Sequence, residues 1–403
     1  MRNYKITGFN RFFASWGVWV FLLCLPQVTL GLGSLDRPVI AWAGISLAGE
    51  SDKLQVLYPR TTAYLPRANQ ELYRRVAQLQ SSHYQLVTDD KVDLRRGNSL
   101  ALTLALEDET VVVRKLAGLY QAVVELSASI VVYDVDSAEK AVIASFPLGL
   151  GPYIETYAEG PPGDRQLNHL VEGYLFGGLS NLDTGLLDQA VGILERAEIK
   201  YRYAAKIGIG QVDINEVAAG VMDASFGGDA QLMRSYIGRQ TARLLSARYQ
   251  VSVLPYQADN AIANMTLRFT GKKTTLLLRL PEPDFRLNIQ VERFARKLMQ
   301  ESKHEQLYLY AARATFTIED DFGDRLYQES IKDFVHKRIL LTQPAIDEWA
   351  VYQGALAKLT RGLLDQMHQP DPDWLRLQGF QSKKRRQVES SLLAAAEVLE
   401  QCR

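Results

Sequence analysis

The sequence predicts an α+β (α/β) fold in which two related sheet-plus-helix modules precede a helical carboxyl-terminal region. Three observations predict it. In residues 119–147 (LYQAVVELSASIVVYDVDSAEKAVIASFP), Val124, Leu126, Ala128, Ile130 and Val132 share one face, with Glu125, Ser127 and Ser129 on the other. A period of two is that of a strand with one face on a core, and the pattern resumes at 141–146 after a polar break, as in a long hairpin. Residues 306–331 (QLYLYAARATFTIEDDFGDRLYQESI) keep the same phase through Tyr308, Tyr310, Ala312, Ala314, Phe316 and Ile318, and an acidic turn follows at a matching place. Finally, residues 72–114 lie on 237–279 at a shift of 165 without a gap, with nine of 43 positions identical, against roughly three expected from average composition.

The chain begins with a basic segment, Arg2, Lys5 and Arg11, around an uncharged run at 12–25, with Gly31 and Gly33 following. This is the layout of a secretory signal peptide over residues 1–33. The apolar run is short for a spanning helix, which needs roughly 20 residues; an uncleaved anchor formed by residues 12–33 is the alternative. Without the segment the formal charge of zero becomes slightly acidic, so no whole-chain field draws the protein to nucleic acid. Cys24 and Cys402 are the two cysteines. Cleavage leaves one, which excludes an intrachain disulfide and a cysteine metal site. An exported protein of this size without disulfides points to a bacterial periplasm.

The first module is expected over 34–178. It opens with a strand at 38–47 and a helix at 68–80, striped by Leu72, Val76 and Leu79. A short strand at 83–88 follows. Two further strands, 100–106 and 110–116, flank a turn at Glu107-Asp108-Glu109. After the hairpin, 149–163 holds four glycines and three prolines and reads as a loop, and 166–175 as a short helix. Residues 179–198 form a connecting helix. The second module, 199–335, opens with an alternating strand at 199–209, then a helix at 231–247 and a strand at 249–254. The two hairpins align at a shift of 186, so this copy carries about 21 extra residues, read as a loop and an inserted helix at about 281–305 with Val291, Phe294, Ala295 and Leu298 on one side. Residues 336–403 are the helical region. One helix starts near Pro344 and stops at Pro370-Asp371-Pro372; another spans 384–401.

The opening PVIAWAGISLAG, the helix containing LYRRVAQL and the strand YQLVTDD resemble the periplasmic α/β domain of bacterial envelope proteins such as the curli-secretion lipoprotein and the amino-terminal domain of the Tol-system translocation protein. The resemblance covers residues 38–90, and Ala43-Gly44-Ile45-Ser46 stands where that class carries a Pro-Phe pair. It implies envelope assembly or protein contacts rather than catalysis.

No catalytic, cofactor or metal site is assigned from sequence. There is no G-x-S-x-G; Gly178-Leu179-Ser180 lacks the second glycine. The five histidines (His83, His169, His304, His336 and His368) show no metal-ligand spacing. Gly149-Leu150-Gly151 and Gly208-Ile209-Gly210 lack a phosphate-loop lysine. Carboxylates at Glu319, Asp320, Asp321 and Asp324, and at Asp134, Asp136 and Glu139, suit a hard cation. They miss the twelve-residue calcium pattern and read as solvated turns. Lys383-Lys384-Arg385-Arg386 reads as a solvated face. The expected function is a non-catalytic binding or assembly component of a bacterial envelope, periplasmic, with other envelope proteins as partners. Membrane contact is expected only through the amino-terminal segment, and neither a cofactor nor a nucleic acid is expected. The alternatives are an envelope hydrolase with converging carboxylates distant in sequence, and a membrane-tethered sensor or adaptor.

Overall fold

Strand alternation and helix capping build the elements in sequence order. The computed structural model describes residues 37–49, 53–88, 100–116, 118–136, 140–226, 228–256, 264–269, 275–342 and 346–403. The predicted signal segment, Glu139 and Pro344 lie outside the described residues. The first half runs β1 (Val39–Ala48), α1 (Leu54–Leu57), α2 (Leu65–Val76), β2 (Gln85–Val87), β3 (Leu100–Leu116), β4 (Leu119–Asp134), β5 (Val142–Leu148), β6 (Tyr153–Tyr157), α3 (Asp164–Phe176) and α4 (Leu186–Arg196). In α2, Pro66 sits in the first turn, where its missing N–H costs nothing. Leu65, Ala68, Leu72 and Val76 form its buried stripe. The second half runs β7 (Ile207–Ile214), α5 (Glu216–Phe226), α6 (Ala230–Tyr249), β8 (Val253–Leu254), β9 (Asn264–Phe269), β10 (Thr275–Arg279), β11 (Phe285–Glu301), β12 (Glu305–Asp320), β13 (Arg325–Leu340), α7 (Glu348–His368), α8 (Pro372–Leu377) and α9 (Ser382–Gln401). The Asp229 carboxylate caps α6 by accepting from the N–H groups of Gln231 and Leu232 at 2.9 and 3.0 Å.

These elements make an α+β fold with two mixed sheets and a helical carboxyl-terminal end. In the first sheet β1 is parallel to β2 and β3, and β3, β4 and β5 are antiparallel neighbours. In the second, β7 is parallel to β8 and β11, and β11, β12 and β13 are antiparallel neighbours. The orders β2-β1-β3-β4-β5 and β8-β7-β11-β12-β13 therefore match in sequence and sense. Both hairpins bury the faces their alternation predicts, except that Tyr308 is only partly buried. Val124, Leu126, Ala128, Ile130 and Val132 are buried, as are Tyr310, Ala312, Ala314, Phe316 and Ile318, and each full burial of a large aliphatic contributes about 1.5–3 kcal/mol.

Several expectations are corrected. Residues 281–305 hold no helix; they form most of β11. Leu287, Ile289 and Val291 alternate as a strand, and a register shift between Val291 and Arg293 moves the next buried residue to Phe294. That step of three imitates helical spacing. The extra residues lie instead in the β9–β10 hairpin. It pairs through Arg268 with Leu47 of β1, in the first sheet, so the alignment of 100–114 on 265–279 is not structural. β11, parallel to β7, takes the place that β3 has beside β1. β3 is one strand through Glu107-Asp108-Glu109, not two strands and a turn. The loop at 149–163 contains β6. The strand expected at 199–209 starts at Ile207, because Ile199 and Tyr203 sit in the core of the first sheet. β13 extends to Leu340, so the helical region begins at Glu348 rather than at 336.

The first sheet is covered on both faces. Leu100, Leu102, Leu104 and Leu106 of β3 pack with helices α2 to α4. Ala101 and Ala105 of the same strand pack on the other side with Leu254, Met265, Leu267 and Leu278. Beyond that patch, α6 crosses the same face. The second sheet shares a core with α5, α6, α7 and α9.

Candidate functional site

A cavity of about 300 Å³ lies between β3–β4 of the first sheet and helices α5, α6 and α7. Its polar floor follows from one irregularity. Leu106 pairs with Ala128 and Asp108 with Ser127, so Glu107 is an extra residue in β3. In a regular strand, neighbouring side chains point to opposite faces. The bulge breaks that rule and turns the carboxylates of Glu107 and Asp108 to the same cavity. Thr110, Val112 and Arg114 continue along that wall, and Val123, Glu125, Ser127 and Ser129 of β4 complete it. The bulge is pinned from behind. The Tyr58 hydroxyl lies 2.8 Å from the Leu106 carbonyl. The Glu109 carboxylate, on the far face, accepts from the backbone N–H groups of Arg60 (3.1 Å) and Thr61 (2.8 Å).

The roof comes from α6, which has two working faces. Met233, Ile237 and Leu245 enter the second core. Leu232, Tyr236, Arg239, Gln240 and Arg243, spaced at helical intervals, line the cavity. Arg239 pairs with Asp108 at 3.1 Å and Arg243 with Glu125 at 3.5 Å. Arg114 pairs with Asp347, which also caps α7. The aromatic end is a cluster in which Phe226, Tyr236 and Trp349 have ring centroids 5.5 to 6.0 Å apart.

Four buried polar atoms on this cavity have no hydrogen-bond partner among the described residues: Glu107 Oε1, Arg114 Nε, Ser129 Oγ and the Tyr236 hydroxyl. Buried polar groups are normally satisfied, and leaving one unmet costs about 1–3 kcal/mol. Burial pushes the Glu107 carboxyl above its ordinary value; the nearby Ser129 hydroxyl and Arg239 oppose the shift and the neighbouring Asp108 adds to it. Glu125 is likewise raised by burial, against the pull of Arg243. Burial raises the Tyr236 phenol well above its usual range. A buried acid, a serine and a phenol facing one apolar-walled space can exchange hydrogen bonds with a small guest. No histidine or lysine is among the described residues lining it.

Beyond Arg243, a second cavity of about 350 Å³ is bounded by Gly149, Asp188, Gln189, Arg196 and Gln250, and shares Pro147, Leu148 and Arg243 with the first. Gly149 leaves room for the guanidinium: a Cβ there would stand 2.7 Å from Arg243 Nη1.

The residues singled out from sequence fall elsewhere. His83 lies 3.8 Å from Glu198, and His169 lines a groove with Tyr64, Tyr153 and Tyr157. The carboxylates at 319–324 form a hairpin turn in which Asp320 Oδ1 accepts from the N–H groups of Phe322 and Asp324. No group of three or more metal-binding side chains occurs among the described residues. Lys384 pairs with Glu329 at 2.5 Å. Arg239 and Arg243 went unseen because α6 is apolar toward one sheet and polar toward the other. Their spacing with Tyr236 is the signal that would have found them. No helix among the described residues is long and apolar enough to cross a membrane.

No protein-family model matches the chain, and no curated protein matches it in sequence. Among solved structures, a minor lipoprotein from Acinetobacter baumannii is similar over 41% of this chain and 92% of its own, at 11% identity and a TM-score of 0.22. A protein described as a neuraminyllactose-binding hemagglutinin homologue from Helicobacter pylori is similar over 46% of this chain and 88% of its own, at 12% identity and a TM-score of 0.20.

Proposed function

We propose that the protein is an exported, periplasmic binding component of a bacterial envelope, working with other envelope proteins, and that the cavity under α6 is its ligand site. One observation carries the binding reading: Glu107 Oε1, Ser129 Oγ, Arg114 Nε and the Tyr236 hydroxyl line one cavity unpartnered. Four unmet groups in one place suit a guest that supplies the missing hydrogen bonds. Export and the periplasm rest on the basic start, the uncharged run at 12–25 and the cysteine count. Descent of the two modules from one duplicated unit is supported by the shared strand order of the two sheets.

The convergence of Glu107, Asp108 and Glu125 favours a second reading, an envelope hydrolase with Glu107 as the acid. Binding ranks first because Asp108 and Glu125 are each held by an arginine. No free base is then left among the described lining residues.

The test uses the full chain expressed for export. Native mass spectrometry of the folded protein should detect a co-purifying small molecule. A Val123→Trp variant, which fills the cavity, should lose it while keeping the native circular dichroism. Binding unchanged in that variant would place the guest elsewhere and sink the assignment. Amino-terminal sequencing of the same material should find residues 1–33 removed; an intact Met1 would favour the tethered alternative.

A further inference from the structure

We propose that the cavity under α6 selects a small organic cation, a primary amine in its ammonium form on a compact apolar body, with Glu107 as its counter-ion. This rests on the reading of the cavity as a ligand site and goes further in naming the ligand's charge. The argument is one of charge count and wall chemistry. The described lining residues include four carboxylates, Glu107, Asp108, Glu125 and Asp347, and three guanidinium groups, Arg114, Arg239 and Arg243. Each arginine has a carboxylate of its own: Arg114 with Asp347, Arg239 with Asp108, and Arg243 with Glu125. Glu107 is the remainder. Its Oε1 is buried and unpartnered, and the bulge in β3 aims it into the cavity.

An anionic guest would meet guanidinium groups each already paired with a carboxylate, and would gain no counter-ion from Glu107. A monocation closes the count. Buried charges persist when paired, and an ammonium beside Glu107 makes that pairing. The aromatic lining fits the same guest. Phe226, Tyr236 and Trp349 form one aromatic cluster on the cavity, and aromatic faces attract cations most strongly where water is excluded. Ser129 Oγ and the Tyr236 hydroxyl can accept from the remaining ammonium hydrogens.

Binding then carries a proton signature. Burial favours the protonated Glu107 carboxyl in the free protein. The arriving ammonium favours its carboxylate, so the carboxyl proton passes to the buffer and the ligand keeps its own. The other charges facing Glu107 are Asp108 and Arg114 from β3, Glu125 from β4, Arg239 and Arg243 from α6, and Asp347 ahead of α7. All six are paired with one another before and after the ligand enters.

The experiment compares three isosteric probes on the full chain by titration calorimetry: cyclohexylammonium, cyclohexanol and cyclohexanecarboxylate. Cyclohexylammonium should bind at least tenfold more tightly than either of the others. Measured in two buffers of different ionisation enthalpy near pH 5, it should release a proton on binding. Glu107→Gln should weaken cyclohexylammonium at least tenfold and thereby erase most of its lead over cyclohexanol. Cyclohexanol or the carboxylate binding as well as the amine, with loss in Val123→Trp, overturns the cation proposal and leaves the cavity reading intact. If no probe binds, or binding survives Val123→Trp, both fall. The probe ranking is read on the unmodified chain, so it decides the question even where Glu107→Gln fails to fold.

Discussion

The two sheets carry the same irregularity at the same place, with opposite outcomes. β3 and β11 are each 17 residues long and each parallel to the first strand of its half. Each bulges at its eighth residue, which is a glutamate: Glu107 between Leu106 and Asp108, Glu292 between Val291 and Arg293. On the neighbouring strand, Ser129 of β4 and Thr315 of β12 both stand eleventh. In the second sheet the donor meets the acid. Thr315 Oγ1 donates to Glu292 Oε1 at 2.6 Å, Ser330 Oγ donates to the same oxygen at 2.7 Å, and Arg313 pairs with Oε2 at 2.9 Å. In the first sheet Ser129 stands near enough to Glu107 to pull its value down, yet Glu107 Oε1 and Ser129 Oγ make no hydrogen bond of normal geometry. Burial works to raise both acids. At Glu292 the bonds from Thr315 and Ser330 and the charge of Arg313 outweigh it and lower the value, whereas at Glu107 burial prevails and raises it. A bulged glutamate is thus part of how this strand is built. What separates a settled residue from a site is the covering of that face by α6 and α7.

The largest test of this contrast removes the arginine in each half. Arg243 and Glu125 are 17% and 12% exposed, while Arg313 is 58% exposed. Arg243→Met strands a buried carboxylate and should cost about 3 kcal/mol in urea unfolding. Arg313→Met removes a solvated partner and should cost about 0–1 kcal/mol. Equal losses would mean that the first sheet's covered face is as wet as the second's. A smaller effect is expected at Glu292 itself. Glu292→Gln keeps the shape but exchanges charge-assisted bonds for neutral ones, and because the side chain is 23% exposed the loss at neutral pH should be about 1 kcal/mol.

Much of this contrast was legible in the sequence, and the missing part has a physical cause. The buried faces at Val124–Val132 and Tyr310–Ile318 follow from alternation, because a one-residue slip would expose every member. The polar partners Glu125, Ser127 and Ser129 were also placed on one face. That this face is covered rather than solvated depends on α6, more than 100 residues away in sequence. Bulges caused the local errors. At Glu107 the bulge, within three consecutive acids, imitated a turn; between Val291 and Phe294 it imitated a helix. The crossing of β9 to β1 is a non-local pairing. No periodicity within residues 264–279 reports which sheet they will join, and three identities with β3 are no substitute for hydrogen-bond partners.

The smallest expected effect is also the most diagnostic, because its sign is unusual. Replacing a buried glutamate by glutamine normally destabilises. At Glu107 the fold favours the protonated carboxyl, so this group's contribution is full below the ordinary carboxylate value of 4.5. It is lost as pH rises through the higher folded value. Glutamine is neutral throughout and escapes that loss. Glu107→Gln should therefore match the parent near pH 4 and exceed it by about 1 kcal/mol near neutrality. Glu292 runs the other way. Its folded value is lowered, so its contribution is present above 4.5 and fades as pH falls through the folded value, and Glu292→Gln should approach its parent in acid. Urea unfolding of both variants between pH 4 and 8 should give differences of opposite sign at neutral pH, converging in acid. Parallel curves would show that the two bulge glutamates share one environment. A deficit for Glu107→Gln at neutral pH would show that its carboxylate is ionised and satisfied in the free protein, which would remove the ground for treating the cavity as a site.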